Sequence, residues 1–143
     1  MARIKIDLPE KFHFTAVIPV RITDLNYGGH VGNDSVLSLI HEARVQFLKH
    51  YGYSEMDIGG AGLIMSEASV SFKQEIFYGD IVRIHVSVSD ISRVSFTLYY
   101  KLEKEAGGKT TTIAHAQTGM ACFDYRLRKP APVPEEALLK WKE

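Results

Sequence analysis

One segment of this chain has helical periodicity along its whole length, and nearly everything after it alternates like β-strand. In residues 35–51 the apolar side chains recur at three- and four-residue spacing, which places them on one face of a helix. That face contains Val36, Leu37, Ile40, Ala43, Phe47, Leu48 and Tyr51. Gly52 follows where a helix would end, and Lys49 and His50 suit the negative end of the helix dipole. A lone helix with one apolar face must bury that face against another layer.

Five period-two segments surround this helix and predict a sheet. The first covers residues 12–22, where apolar side chains take the even positions. Four more follow the helix at residues 64–76, 82–89, 94–102 and 109–126, with glycine-containing turns among them. Three prolines come next, and residues 135–141 are predicted to form a short helix.

A sheet with one apolar face buries a single helix most simply by wrapping around it. We therefore predict an α+β fold in which five antiparallel strands, the last four forming a meander, enclose one long helix. With 143 residues and 45% hydrophobic side chains, the chain has the size and composition of one domain, residues 1–143.

Charge and composition exclude several classes of function. Seventeen Lys and Arg residues balance seventeen Asp and Glu residues, so the chain lacks the global basic field typical of nucleic-acid-binding proteins. No segment has the apolar length of a membrane span. Charged residues interrupt the apolar ones in the first ten positions, so the uninterrupted apolar stretch of a signal peptide is lacking. The one cysteine, Cys122, cannot form an internal disulfide and is expected in the core. We expect a cytoplasmic protein without membrane or nucleic-acid partners.

The chemically reactive side chains concentrate between the first strand and the long helix. Residues 21–33 carry the pattern Arg-x-x-Asp-x-Asn-x-x-Gly-His-Val-x-Asn, the helix carries Glu42-Ala43-Arg44, and Tyr78-Gly79-Asp80 opens a later strand. These residues, in this order of elements, resemble the hotdog-fold thioesterases of the 4-hydroxybenzoyl-CoA thioesterase type, which also resemble plant acyl-carrier-protein thioesterases. The resemblance covers residues 12–125 and implies the hotdog fold.

The resemblance also implies an activity: hydrolysis of an acyl-CoA or acyl-carrier-protein thioester to free acid and thiol, without metal or other cofactor. It implies a homodimer or homotetramer whose sheets join edge to edge, with the active site in the cleft between subunits. In the family a loop carboxylate attacks the thioester carbonyl or activates water, and backbone N–H groups at the start of the long helix polarise that carbonyl. Asn26 occupies the carboxylate position here, and an amide is neither nucleophilic carboxylate nor general base.

Another group must therefore activate water if the chain hydrolyses thioesters. Glu42 matches the glutamate of the family's helix motif and is the first candidate. Asp24 and Asp34 flank the loop and are further candidates. His30 could donate to the carbonyl, relay a proton or orient Asn26, because the two share one short loop.

Substrate contacts are expected at the start of the helix, where unpaired N–H groups and the positive end of the dipole favour a polarised oxygen. The residues expected there are Gly29, Asn33 and Asp34, with Glu67 on the outward face of the following strand as a further contact.

Plainer roles are open for the same residues. Asn26 could serve only an Asx turn, Glu42 could be a solvated charge, and Arg44, at the edge of the apolar face, could form an ion pair, including one across a subunit interface. Two other functions also stay open. One is a non-catalytic acyl-thioester binding protein that has lost its carboxylate, and the other is a hotdog hydratase or dehydratase, although the gap from Asp24 to His30 does not fit that motif.

Overall fold

A computed structural model describes residues 5–142 of the chain. The long helix is α1 (Asn33–His50) and the C-terminal helix is α2 (Glu135–Trp141). The strands are β1 (Phe14–Pro19), β2 (Gly62–Phe72), β3 (Ile81–Ser89), β4 (Ser95–Ala106), β5 (Lys109–Asp124) and the two-residue β6 (Lys129–Pro130). The predicted α+β fold, with one long helix, five long antiparallel strands and a short last helix, is confirmed, and β6 is an addition to it.

The sheet has the order β1-β3-β4-β5-β2, with β6 beside β5, and every pairing is antiparallel. The prediction of a four-strand meander is wrong at β2, which pairs with β5 rather than with β3. The reason is that β3 already has β1 on one side and β4 on the other, so the open edge belongs to β5. As a result, β1 and β2 form the two edges of the sheet.

The predicted strand at residues 64–76 also ends earlier than expected, at Phe72. The backbone N–H groups of Lys73 and Gln74 both donate to the Ile113 carbonyl, at 2.8 and 3.1 Å, which ends the ladder with β5. Residues 73–80 instead connect β2 to β3. They pass the start of α1, where the Val31 N–H donates to the Ile76 carbonyl at 2.8 Å.

Helix α1 buries most of the face that its periodicity predicts, but Leu37 is not buried, and Leu39 and Arg44 are buried in addition. The buried residues of the helix are Val36, Leu39, Ile40, Ala43, Arg44, Phe47 and Leu48. Leu37 was expected among them but is 47% exposed. It follows Val36 by 100° around the helix and so lies beside the buried stripe, whereas Leu39 lies within it.

Aromatic side chains close the C-terminal end of the core. The Phe47 ring lies 5.2 Å from the Tyr51 ring and 6.2 Å from the Trp141 ring, centroid to centroid, so α2 is packed against α1. Cys122 lies in the core as predicted, and burial raises the pKa of its thiol to about 11. Among the residues from 5 to 142, the helices are too short or too polar to span a membrane.

Candidate active site

The loop between β1 and α1 is closed on itself by hydrogen bonds around Asn26. Its backbone N–H donates to the His30 carbonyl at 2.9 Å, and its side-chain Oδ1 accepts from the Gly28 N–H at 2.8 Å. The second bond is the Asx turn that the sequence left open as one role for this residue. Gly29 has a φ of +86°, a left-handed conformation that glycine adopts without strain.

The Asx turn uses only one end of the Asn26 amide. Its Nδ2 and its Cβ both lie 3.7 Å from the position that a Cβ on Gly32 would occupy, so the side chain lies beside the start of α1. Within residues 5–142 no acceptor is recorded for this nitrogen, which therefore keeps its hydrogen-bonding capacity for a ligand.

The orientation of His30 defines the role of each ring nitrogen. Its Nδ1 lies 3.2 Å from the Val31 carbonyl oxygen. A carbonyl only accepts, so Nδ1 carries the hydrogen in this bond and Nε2 of the neutral ring is the basic nitrogen. Nε2 lies 3.7 Å from where a Cβ on Gly28 would be, which places it beside the loop glycines.

The first turn of α1 begins without a side-chain cap. Gly32 is the N-cap residue, and no side chain hydrogen-bonds to the first N–H groups from that position. The Gly32 carbonyl accepts from the Val36 N–H at 3.0 Å and so starts the helical bonds. Asp34 lies exposed in this first turn. The turn therefore keeps unpaired donors and the positive end of the dipole, and the Asp34 carboxylate, whose Oδ1 lies 2.7 Å from where a Cβ on Gly32 would be, partly offsets that charge.

A cleft of about 290 Å³ opens at this point between the start of α1 and the β2–β3 connection. His30 and Asn33 line one side of it. Lys73 and Glu75 line the other, and neither was among the predicted site residues. The alternating pattern predicts both on a strand face, and only the nearby Tyr78-Gly79-Asp80 turn could have suggested a connection there.

The β2–β3 connection is fixed by a nearly buried lysine. Lys104 Nζ donates to the Glu75 carbonyl at 2.8 Å and to Asp80 Oδ2 at 2.9 Å. Burial alone would raise the pKa of Asp80, but hydrogen bonds from the Phe77 N–H and from Lys104 outweigh it and hold that pKa below its usual value. One wall of the cleft is therefore held in place by an ion pair.

Three of the candidate carboxylates do not line this cleft. Asp24 is buried, and its carboxylate accepts from the Arg21 backbone N–H at 2.8 Å and from Arg21 Nη2 at 3.4 Å. These bonds close a 3₁₀ turn (Ile22–Asp24), so the first strand ends at Pro19 and not at residue 22 as predicted. Glu67 lies exposed beside the bulge in β2. Its side chain packs near Gly119.

Glu42 lies too far along α1 to meet the loop. It comes nine positions after Asn33, which is about 14 Å along the axis. It lines a separate groove of about 400 Å³ between α1 and β1 and accepts a hydrogen bond from Gln46 at 2.7 Å. Of the sequence candidates, the chain thus brings together Asn26, Gly29, His30, Asn33 and Asp34 at the loop and the start of α1, but not Glu42 or Glu67, and Asp24 is bound to Arg21. No group of three possible metal ligands occurs among residues 5–142.

Comparison with known proteins gives relatives along most of the chain. Residues 20–141 match the family described as the Thioesterase-like superfamily. The 1,4-dihydroxy-2-naphthoyl-CoA hydrolase of Thermosynechococcus vestitus is 30% identical over 126 residues, which cover 85% of this chain and 84% of that one. The enzyme of the same name from Microcystis aeruginosa is 28% identical over 125 residues, covering 85% and 87% of the two chains.

Solved structures agree with this assignment. A 1,4-dihydroxy-2-naphthoyl-CoA thioesterase from Synechocystis has a TM-score of 0.80 and 25% identity, covering 91% of this chain and 96% of its own. A 4-hydroxybenzoyl-CoA thioesterase mutant in complex with 4-hydroxybenzoyl-CoA also has a TM-score of 0.80, at 17% identity and coverage of 90% and 97%, and supports the fold. With residues 20–141 matched and the hotdog fold in common, this chain belongs to the thioesterase-like superfamily.

Proposed function

We propose that this chain hydrolyses acyl-CoA thioesters to free acid and CoA at the cleft beside the start of α1. The observation that carries the proposal is that His30 lines the same cleft as Asn33 and Val36, which belong to the first turn of an uncapped helix. Membership of the superfamily supports it, and so do the two sequence relatives, which are named as hydrolases of an aromatic acyl-CoA.

The helix N-terminus would polarise the thioester. Its carbonyl oxygen would accept hydrogen bonds from the N–H groups of the first turn of α1, next to Asn33. As water adds, negative charge develops on this oxygen, and fixed donors together with the helix dipole stabilise that charge. Asn26 Nδ2, which lies beside the same turn, would add a side-chain donor. An amide can fill this role although it cannot act as a base.

His30 would activate the water. Its Nε2 takes a proton from the water as the water oxygen bonds to the carbonyl carbon, and the Val31 carbonyl bound to Nδ1 holds the ring in the required tautomer. The tetrahedral intermediate then collapses, the carbon–sulfur bond breaks, and the CoA thiolate takes the proton from Nε2. Atoms and charges balance without any further co-reactant.

A thiol-release assay tests the function. We expect the wild-type protein to release CoA from at least one of benzoyl-CoA, 4-hydroxybenzoyl-CoA and octanoyl-CoA. Glu42→Gln should leave kcat within about twofold, because Glu42 lies about 14 Å from the start of α1. Asn26→Asp should lower kcat, because it replaces a donor with a negative charge near the developing oxyanion.

The same assay separates the rival functions. A wild-type protein without turnover, alongside an active Asn26→Asp variant, would show a thioester-binding protein that lost its carboxylate. Loss of activity in a folded Glu42→Gln variant would show that Glu42 takes part in hydrolysis.

We also propose that the chain is one domain and forms a homodimer through β2. The outer edge of β2 has no partner strand among residues 5–142, and Ile64, Met65 and Phe72 on this strand are exposed. Unpaired apolar edges of this kind favour pairing with a second copy about a twofold axis. Sedimentation equilibrium should give twice the 16.1 kDa chain mass or a multiple of that dimer, and a monomer at micromolar concentration would contradict the proposal.

A further inference from the structure

A lysine occupies a core-facing position in β4. Buried and outward side chains alternate along this strand, and the last buried one is Lys104, of which 8% is exposed. The other buried residues of the series are Phe96, Leu98, Tyr100 and Leu102. An ammonium group in such a layer is costly to bury unless other groups replace the water around it. The partners of Lys104 therefore show what this charge holds in place.

The ammonium group of Lys104 is bound by the connection between β2 and β3. It donates two of its three hydrogens to oxygen atoms, the Glu75 carbonyl at 2.8 Å and Asp80 Oδ2 at 2.9 Å. The centroid of the Phe77 ring lies 5.1 Å from Nζ, in a cation–π contact. These contacts extend from residue 75 to residue 80, so one side chain fixes most of the connection.

The same connection holds both ends of the loop between β1 and α1. Where the loop begins, the Val20 N–H donates to the Asp80 carbonyl at 3.0 Å. Where it ends, the Val31 N–H donates to the Ile76 carbonyl at 2.8 Å. Asp80 is itself a partner of Lys104, and Ile76 directly follows another partner, Glu75. The ends of the loop are therefore bound at or next to the residues that Lys104 holds.

Val31 connects this arrangement to His30. The Val31 N–H is bound by the Ile76 carbonyl, and the Val31 carbonyl accepts from His30 Nδ1 at 3.2 Å. Val31 is buried, so few water molecules can replace these partners. A shift of the connection would therefore reach the carbonyl group that determines which ring nitrogen of His30 carries the hydrogen.

We propose that Lys104 is a positioning residue for His30. By holding the connection it fixes Val31, and Val31 keeps His30 in the tautomer whose Nε2 can accept a proton. Lys104 is not among the residues that line the cleft, so it acts on hydrolysis through His30. The expected effect on hydrolysis rests on the proposed function, whereas the tautomer of His30 can be measured without turnover.

The first test is the tautomer of His30 in a Lys104→Met variant. Methionine matches the length of lysine and lacks its charge and its hydrogen-bond donors. In wild-type protein, long-range proton–nitrogen NMR above the titration of the ring should show the Nδ1–H tautomer for His30. In the variant the signals should move toward the Nε2–H tautomer, which free neutral histidine favours. The signals that disappear in His30→Gln protein are those of His30.

The second test is the rate of hydrolysis. In Lys104→Met, kcat on the best thioester of the panel should fall by about tenfold to a hundredfold, the usual result of a small displacement of a reacting group. Lys101→Met is the matched control, because Lys101 lies on the same strand but on its outward side, with Nζ 3.3 Å from Glu103 Oε2. It should leave the His30 signals in place and kcat within about twofold, because a surface ion pair contributes little.

A double variant separates positioning from stability. Lys104→Met alone leaves the Asp80 carboxylate without its countercharge, which destabilises the fold. Asp80→Asn removes that charge and keeps an oxygen that can accept from the Phe77 N–H, now bound at 2.9 Å. The double variant should therefore be more stable to urea than Lys104→Met, yet keep the low kcat and the altered His30 signals. If Lys104→Met does not fold, the double variant provides both measurements.

The outcomes are separable from those of the proposed function. Wild-type His30 signals in folded Lys104→Met protein would overturn the proposal, even with a lower kcat. Recovery of the signals and of kcat in the double variant would also overturn it, because the effect would then come from lost stability alone. Altered signals with an unchanged kcat would support the positioning of His30 and contradict its role as the base. Absence of turnover by wild-type protein would contradict the proposed function, and the tautomer would still test Lys104.

Discussion

Replacing His30 with Gln is expected to lower kcat for thioester hydrolysis by about 10²–10⁴-fold, the usual contribution of a general base. Glutamine has a similar size, and its amide can still donate to the Val31 carbonyl that now holds Nδ1. It offers no basic nitrogen to take the proton from water. KM should change by less than about threefold, because the substrate is held by the first turn of α1 and by the cleft beside it. Steady-state kinetics on the best substrate of the panel measures both values.

The control is the same substitution at the far end of the same helix. His50 comes seventeen positions after Asn33, about 26 Å along α1, and is exposed. His50→Gln should leave kcat within about twofold, and denaturant unfolding should show that both variants are folded. A His30→Gln protein that keeps more than a tenth of its activity would remove His30 as the base. Asp34 and Glu75, the carboxylates nearest this cleft, would then be the next residues to test.

Local periodicity was sufficient to predict the elements of this fold but not their neighbours. The spacing of Val36, Ile40, Ala43 and Phe47 predicted α1, and Gly52 ended it, because both signals lie within one short stretch of chain. Alternation in β2 predicted a strand equally well. It held no information on whether β3 or β5 would be its partner, since that depends on which edges the rest of the sheet leaves open.

Part of the candidate site was likewise predictable from local sequence and part was not. The pattern around Asn26 and His30 selected a loop whose residues stay close together in the structure, because sequence neighbours in a short glycine-rich loop stay close in space. The carboxylates were harder to place. The periodicity of α1 showed that Glu42 faces outward but not that it lies in a different groove. Glu75 lines the cleft because β2 ends before it, where the N–H groups of Lys73 and Gln74 both bind the Ile113 carbonyl. That contact joins residues far apart in sequence, so the local pattern does not predict it.

The unused N–H of Arg44 could not be foreseen from sequence either. The helical periodicity predicted Arg44 at the edge of the apolar face, and an ion pair was one role open to it. The structure adds Glu55 at 3.8 Å, which is a contact between charges without a hydrogen bond. Only coordinates distinguish a guanidinium group with every donor paired from one that has a buried donor left unpaired.

Replacing Phe47 with Ala is expected to lower the free energy of unfolding by about 3–5 kcal/mol, the usual cost of removing a large aromatic side chain from a core. Phe47 is 0% exposed. Its ring contacts the rings of Phe14 at 6.4 Å, Tyr51 at 5.2 Å and Trp141 at 6.2 Å, centroid to centroid. The cavity would therefore loosen α1 from both β1 and α2. Because domains of this kind have only about 5–15 kcal/mol in total, one such change removes a large fraction of the stability.

Urea unfolding at fixed protein concentration measures the effect, since any dimerisation makes stability depend on concentration. Phe77→Ala is the matched control, because Phe77 is 45% exposed and its ring contacts Lys104 Nζ at 5.1 Å, a cation–π contact worth about 1 kcal/mol or less. The two losses should differ by at least about 2 kcal/mol. Equal losses would mean that the Phe47 cavity collapses on mutation, and that α2 is not held against α1 by this ring.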